Sequence, residues 1–278
     1  RRIHQTSSGQ GHETLVSTVL GEFMQIDPKL IRITRPNSLE SLPGNSPVGS
    51  RMAIMLGGAA ARAGEKLKAK IMAMAAHRLG VDIDQLRYEG GDVLAHDGRR
   101  FTWDEMVELA HRQYHNLPDG MDPGLASFDI MQVPTGDALP VDDKVQMYPC
   151  YSFEFHLLLV SFDPIICRPD IHSYVIGHDC GTVINPAIVS GMTYGGIAHG
   201  IGAALFEEFA YDTNGQLLTQ SFLDYLMPSS HEVPAIQIVK HCTPSPHTVF
   251  GQKGSGESGY LGAPAAVSAA INDAVSGL

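Results

Sequence analysis

The sequence has few cysteines and no long apolar run. Four cysteines are spread over 278 residues and none forms a C-x-x-C pair, which excludes a zinc ribbon or an iron–sulfur cluster built within this chain. Disulfide frameworks belong to short, cysteine-dense secreted domains, so we expect a reduced, cytoplasmic protein. No apolar stretch approaches the roughly 20 residues that span a bilayer, so a membrane partner is not expected.

Positive charge is also scarce. The chain has 19 Lys and Arg against 30 Asp and Glu, for a formal net charge of −11. With no basic cluster, this balance argues against nucleic acid or an anionic membrane surface as a partner. Hydrophobic residues make up 44% and charged residues 18% of the chain, a composition typical of a packed globular protein.

Glycine, in contrast, is abundant, with 29 residues gathered partly into three clusters. The clusters, each near a predicted helix, are Ser8–Thr14, Gly195–Gly202 and Gly251–Gly259. Glycine lets a backbone approach a ligand closely, and exposed N–H groups at a helix start favour phosphate. None of the three matches a P-loop or a dinucleotide-binding fingerprint. Together they indicate a large anionic cofactor that is contacted at several separated points.

Hydrophobic periodicity and turn residues predict an irregular alternation of helices and strands. Predicted helices cover 13–26, 52–79, 102–111 and 186–208, with another from about Pro264; predicted strands cover 30–34, 86–88, 93–96, 151–162, 172–178 and 236–241. Residues 35–50 and 116–147 are predicted loops. We therefore expect a mixed α/β (α+β) fold with mixed sheets and long, Gly-interrupted helices. The first subdomain is placed at 1–150 and the second at 151–278.

Several motifs occur in a characteristic order: Gly9–Thr14, Gly49–Arg51, Asp179–Pro186, Gly195–Gly202, Asp224–Pro228 and Gly251–Glu257. So ordered, they resemble the molybdopterin-binding large subunit of the xanthine oxidase family of molybdenum hydroxylases. The similarity is strongest to the branch of carbon monoxide dehydrogenase-like enzymes and bacterial N-heterocycle hydroxylases. Large subunits of that family are far longer, so the resemblance implies the C-terminal part of one, with the fold of its second molybdopterin-binding domain.

The resemblance also implies a set of functional residues. The cofactor would be molybdenum–molybdopterin, in its cytosine dinucleotide form, and Glu257 would be the catalytic base that removes a proton during hydroxylation. Cofactor-binding roles fall to Gln10, Gly11, His12, Ser50, Arg51, His199, Gly200, Lys253, Gly254, Ser255 and Gly256. No residue of this chain is expected to ligate a metal.

The implied activity is hydroxylation of an electron-poor C–H of an N-heterocycle or aldehyde. Iron–sulfur clusters and FAD would be carried by partner subunits that take up the electrons, and the N-terminal half of the molybdopterin subunit would be a separate chain or missing sequence. An alternative is a non-catalytic assembly or scaffold subunit of such a complex. His199 stands where the family usually has Gln, so both a cofactor contact and a structural role remain open.

Two further groups of residues are interpreted as structural. Cys180 is expected to pack in the core. His172, His178 and Asp179 could suggest a metal cluster by residue type, but strand alternation places neighbours on opposite faces, so a ligand role is not expected.

Overall fold

A computed structural model describes residues 7–35, 37, 39, 47–132, 142 and 148–277. The chain folds into two compact units, the first formed by Arg1–Pro47 with Met52–Val133 and the second by Val48–Arg51 with Pro134–Leu278. The helices are α1 (His12–Met24), α2 (Met52–Leu79), α3 (Trp103–His111), α4 (Pro186–Leu205) and α5 (Ala263–Val275). The strands are β1 (Leu86–Glu89), β2 (Asp92–Ala95), β3 (Arg100–Phe101), β4 (Phe153–Asp163), β5 (Arg168–Asp179) and β6 (Ile236–His241). The mixed α/β class expected from the sequence is confirmed, whereas a boundary near residue 150 stays a prediction.

The first unit packs α1, α2 and α3 around a small antiparallel sheet of order β1-β2-β3. Its core includes Leu67, Ile71 and Met74, which recur at helical spacing along α2 and are at most 1% exposed. The start of α3 is fixed by a capping box, in which Thr102 and Glu105 satisfy each other's backbone N–H groups. Met74 of α2 thus serves the core, and Met72 packs against it.

The second unit is built on a three-stranded sheet of order β4-β5-β6. Strands β4 and β5 form an antiparallel pair, and β6 runs parallel to β5. Helices α4 and α5 pack on one face of this sheet, where Tyr174 and Ile176 of β5 are fully buried with Ile197, Ile201 and Val267. Loops that leave the ends of these strands and helices carry the candidate site.

The strand predicted over 30–34 is wrong. Pro28–Leu30 forms a 3-10 helix instead, and Thr34 alone of that stretch makes a strand-like bridge. The Asp27 side chain accepts a hydrogen bond from the Lys29 N–H at 2.9 Å and Pro28 fixes the backbone, so a turn is favoured over an extended start. Of the loop predicted over 116–147, residues 133–141 and 143–147 lie outside the described residues, as do 36, 38 and 40–46 of the loop predicted over 35–50.

The other boundaries differ less. Strand β5 begins four residues earlier than predicted and α4 ends three residues earlier. A turn at 212–215 is closed by an antiparallel bridge between Tyr211 and Leu217. Among the described residues, no helix is long and apolar enough to cross a membrane.

Candidate active site

The candidate site is built on the glycine-rich loop 251–262, which leads into α5. Its first residues are joined to the end of β5 by an antiparallel bridge between Gly181 and Gln252 and by a 2.8 Å hydrogen bond from the Lys253 N–H to the Cys180 carbonyl. Cys180 is 4% exposed, which confirms that it packs in the interior. The loop is therefore anchored to the sheet immediately before the predicted catalytic residue.

Glu257 is held by Ser50 through two hydrogen bonds. The Ser50 hydroxyl donates to Oε2 of Glu257 at 2.7 Å and accepts from the Glu257 backbone N–H at 2.9 Å. Glu257 itself is exposed. One serine thus fixes both the backbone and the carboxylate of Glu257 while leaving the carboxylate accessible to a small molecule.

Segment 48–51 has a strained and close-fitting conformation. Ser50 adopts a left-handed backbone with φ of 51°, and the Arg51 Nε donates to the Val48 carbonyl at 2.6 Å. A Cβ at position 254 would lie 1.2 Å from the Ser50 carbonyl oxygen. Gly254 is therefore required for the loop to approach Ser50 this closely.

Gly254→Ala is expected to destabilise the second unit markedly, because the added methyl group would overlap the Ser50 carbonyl group, so the main chain has to shift. We expect a fall in Tm of several degrees, measured by thermal unfolding of the cofactor-free chain. Gly256→Ala is the matched control, because its Cβ would meet its nearest neighbours at an ordinary 3.7 Å. Equal Tm values for the two variants would contradict this account of the loop.

Lys253 lies in a buried ion pair. Its Nζ donates to Thr243 Oγ1 at 2.7 Å and to Asp179 Oδ2 at 3.3 Å, and the Lys253 and Asp179 side chains are 7% and 9% exposed. Burial alone would raise the pKa of Asp179, but hydrogen bonds from Thr243, from the Gly181 N–H and from Lys253 hold it well below its usual range. The predicted cofactor contact of Lys253 would thus compete with this ion pair.

A half-buried carboxylate and a buried histidine behind the loop hold the residues that follow Glu257. Glu154 accepts the Gly259 N–H at 2.6 Å, and the His178 ring nitrogen Nε2 lies 2.9 Å from the Ser258 hydroxyl. Burial lowers the pKa of His178 despite the nearby carboxylates, so the ring is neutral at pH 7. Sequence reasoning missed these supports and Thr243, because strand alternation gives no sign of which loop a side chain will meet.

The glycine run of α4 is explained largely by packing. A Cβ at Gly196 would lie 2.4 Å from the Ser258 carbonyl oxygen, and one at Gly200 would lie 2.5 Å from the Ala263 Cβ. The exposed His199 ring stacks on Tyr260 with ring centroids 4.4 Å apart. His199 and Gly200 therefore have packing roles in the structure, and their cofactor-binding roles stay predictions.

Three further predicted cofactor residues lie in the first unit, at the start of α1. Gly11 is the N-cap of α1 with a left-handed φ of 72° and no side-chain cap, and the Gln10 side-chain oxygen accepts the Ser8 N–H at 2.6 Å. His12 is 2% exposed, and neither of its ring nitrogens has a hydrogen-bond partner within the described structure. Burial lowers the pKa of His12, which favours a neutral ring with one donor and one acceptor.

The structure brings Ser50, Lys253, Gly254 and Glu257 together within the second unit, and it places Gln10, Gly11 and His12 at a helix start in the first. No group of three or more His, Cys, Asp or Glu that could hold a metal ion occurs in the described part of the chain. A fixed carboxylate in a glycine frame and an uncapped helix start with an unpaired buried histidine are features of a cofactor-binding protein of mixed α/β fold.

Comparison with known proteins identifies the family. A sequence profile described as the molybdopterin cofactor-binding domain matches residues 2–234. The chain belongs to this family, as the molybdopterin-binding domain of a xanthine oxidase family large subunit.

Individual relatives agree with this assignment. The chain is 34% identical to the nicotine 6-hydroxylase large subunit of Paenarthrobacter nicotinovorans, over 97% of this chain and 32% of that protein. It is 30% identical to the carbon monoxide dehydrogenase large chain of Hydrogenophaga pseudoflava, over 98% of this chain and 34% of that protein. The chain therefore spans about a third of the length of these relatives.

Solved structures show the same fold. The Cu,Mo-CO dehydrogenase in its carbon monoxide reduced state matches with a TM-score of 0.85 at 29% identity, over 99% of this chain and 33% of the other. Quinoline 2-oxidoreductase from Pseudomonas putida 86 matches with a TM-score of 0.82 at 31% identity, over 99% of this chain and 34% of the other.

Proposed function

We propose that this chain is the cofactor-binding and catalytic part of a molybdenum hydroxylase, with Glu257 as its general base. The observation that carries the proposal is the carboxylate of Glu257, which Ser50 holds in place on a loop that only glycine at position 254 allows. The substrate class would be an N-heterocycle or an aldehyde with an electron-poor C–H bond. Family membership supports this activity, since relatives include a nicotine 6-hydroxylase and a quinoline 2-oxidoreductase.

The residues present fit a molybdopterin cofactor. The unpaired ring nitrogens of His12 are the clearest sign, because leaving such buried polar groups unsatisfied costs about 1–3 kcal/mol each unless a ligand pairs with them. The uncapped first turn of α1 offers N–H groups to a pyrophosphate tail. We assign cofactor binding to Gln10, Gly11, His12, Ser50, Arg51, His199, Gly200, Lys253, Gly254, Ser255 and Gly256.

The bound cofactor would supply the two-electron redox chemistry. Glu257 would accept a proton at a carboxylate oxygen, the role of a general base. Ser50 would keep the carboxylate oriented by donating to Oε2, and it would hold the backbone in place by accepting the Glu257 N–H. The buried Lys253–Asp179 pair would fix the start of the loop rather than touch the substrate.

Further partners follow from the proposed redox role. Electrons would pass to iron–sulfur and flavin subunits, since the four cysteines include no C-x-x-C pair. The rest of the molybdopterin subunit would complete the substrate pocket, because this chain spans about a third of its relatives. The cytosine dinucleotide form of the cofactor is part of the same proposal.

Molybdenum and pterin content of the assembled enzyme test this proposal. We expect near-stoichiometric molybdenum in the wild type and at least a fivefold loss in His12→Phe, which keeps an aromatic ring but removes both nitrogens. His77→Phe, at an exposed position of α2, is the control and should keep its molybdenum. A wild-type complex that lacks molybdenum after expression in a competent host would favour the scaffold alternative instead.

A further inference from the structure

The outward side of β4 is unusually apolar. Phe153, Phe155, Leu157 and Leu159 alternate along the strand, and their exposed fractions are 66%, 68%, 57% and 63%. Single exposed apolar residues are ordinary, but four in a row on one strand form a contiguous patch of the kind that marks an interaction site.

The patch continues across the sheet. Leu157 pairs in register with Val175, and Phe155 pairs with Gly177, which in turn pairs with Val239 of β6, a residue that is 50% exposed. We call this surface the outer sheet face, formed by Phe153, Phe155, Leu157, Leu159, Val175 and Val239. The opposite face is already covered by α4 and α5.

The sequence of β4 is typical of a strand buried on both sides. An antiparallel sheet with one face in water shows apolar residues inward and polar residues outward. In β4 the outward positions are Phe, Phe, Leu and Leu, while Glu154 and His156 point to the side that holds the loop. A second layer therefore has to cover the outer sheet face.

We propose that the rest of the molybdopterin subunit covers the outer sheet face. The matched relatives are about three times as long as this chain. In the matched Cu,Mo-CO dehydrogenase structure, 99% of this chain aligns with only 33% of the other chain. A second copy of this chain fits less well, because each copy carries a net charge of −11. The inference rests on the proposed assembly of this chain into a larger subunit, but not on catalysis.

The cover would also reach the candidate site. The Lys253 ammonium lies 5.3 Å from the centroid of the Phe153 ring, and Phe153 pairs in register with Asp179. A layer placed over Phe153 would shield this nearly buried ion pair from the remaining solvent and so strengthen it at the start of the loop that carries Glu257.

Thiol labelling of Leu157→Cys tests the proposal. We expect a maleimide to modify the introduced thiol at least tenfold more slowly in the assembled enzyme than in this chain alone, with each rate normalised to the unfolded protein. The exposed Cys167, in the turn that follows β4, reports in the same sample that the reagent is active. Equal normalised rates for the introduced thiol in both samples would overturn the proposal.

A second measurement identifies the occupant. Leu157→Lys should reduce recovery of the assembled subunit at least tenfold, whereas Ile83→Lys, at a position of similar exposure in the first unit (53%), should not. If light scattering shows that this chain alone is a dimer and that Leu157→Lys makes it monomeric, the occupant is a second copy and the proposal is wrong. Molybdenum content, measured separately, distinguishes failure of this inference from failure of the proposed function.

Discussion

Glu257→Gln is expected to lower kcat of the assembled enzyme by about a hundred- to ten-thousand-fold, the usual contribution of a general base. Glutamine keeps the length of the side chain and can still accept the Ser50 hydrogen bond, but it cannot take up a proton. Molybdenum and pterin content should therefore stay at the wild-type level. Steady-state turnover and metal analysis of the same preparation separate loss of chemistry from loss of cofactor.

The control for this prediction is Glu208→Gln, which makes the same chemical change at an exposed position just after α4. It should retain wild-type kcat. If Glu257→Gln turns over as fast as this control, Glu257 is not the base, and the glycine frame around it serves binding alone.

Asp179→Asn is expected to reduce the free energy of unfolding by about 3–5 kcal/mol, because it leaves the Lys253 ammonium buried without its counter-charge. Asparagine has nearly the same shape as aspartate, so the loss of stability measures the missing charge and not a cavity. Denaturant unfolding of the cofactor-free chain measures it. The loop that leads to Glu257 starts at this pair, so cofactor content should fall as well.

A double-mutant cycle with Lys253→Met provides the control. The double variant should be more stable than Asp179→Asn alone, because no unpaired charge remains; additive losses would contradict the ion-pair account. The direction in which stability changes with pH also follows from this ion pair. Since folding lowers the pKa of Asp179, its contribution is complete above the ordinary value of 3.8 and is lost as the pH falls below it, a loss that Asp179→Asn should lack.

Much of the fold was predictable from local sequence. The apolar pattern of 52–79 predicted α2, and the helix predicted over 102–111 agrees with α3, which Thr102 caps. The error at 30–34 arose because the apolar residues after Pro28 satisfy a strand pattern, whereas the Asp27 side chain and the proline ring decide the local backbone in favour of a 3-10 helix.

The candidate site was predictable in part. Glu257 was singled out by its glycine frame, but its partner Ser50 lies 207 residues away in sequence, and no local pattern encodes that contact. Lys253 shows a second limit, since a lysine in a glycine loop has the same sequence signature whether it binds a ligand or pairs with Asp179. Distant pairing and burial decide between the two, and both are properties of the folded chain.

The separation of Ser50 from Glu257 has a consequence for biosynthesis. At about 5–20 residues per second, a ribosome needs roughly 10 to 40 s to extend the chain by the 207 positions that separate them. During that time the Ser50 turn lacks the loop that contacts it, so the two hydrogen bonds between Ser50 and Glu257 can form only after residue 257 has been made. Any site that uses both residues is therefore completed only after the strands and helices between them have been synthesised.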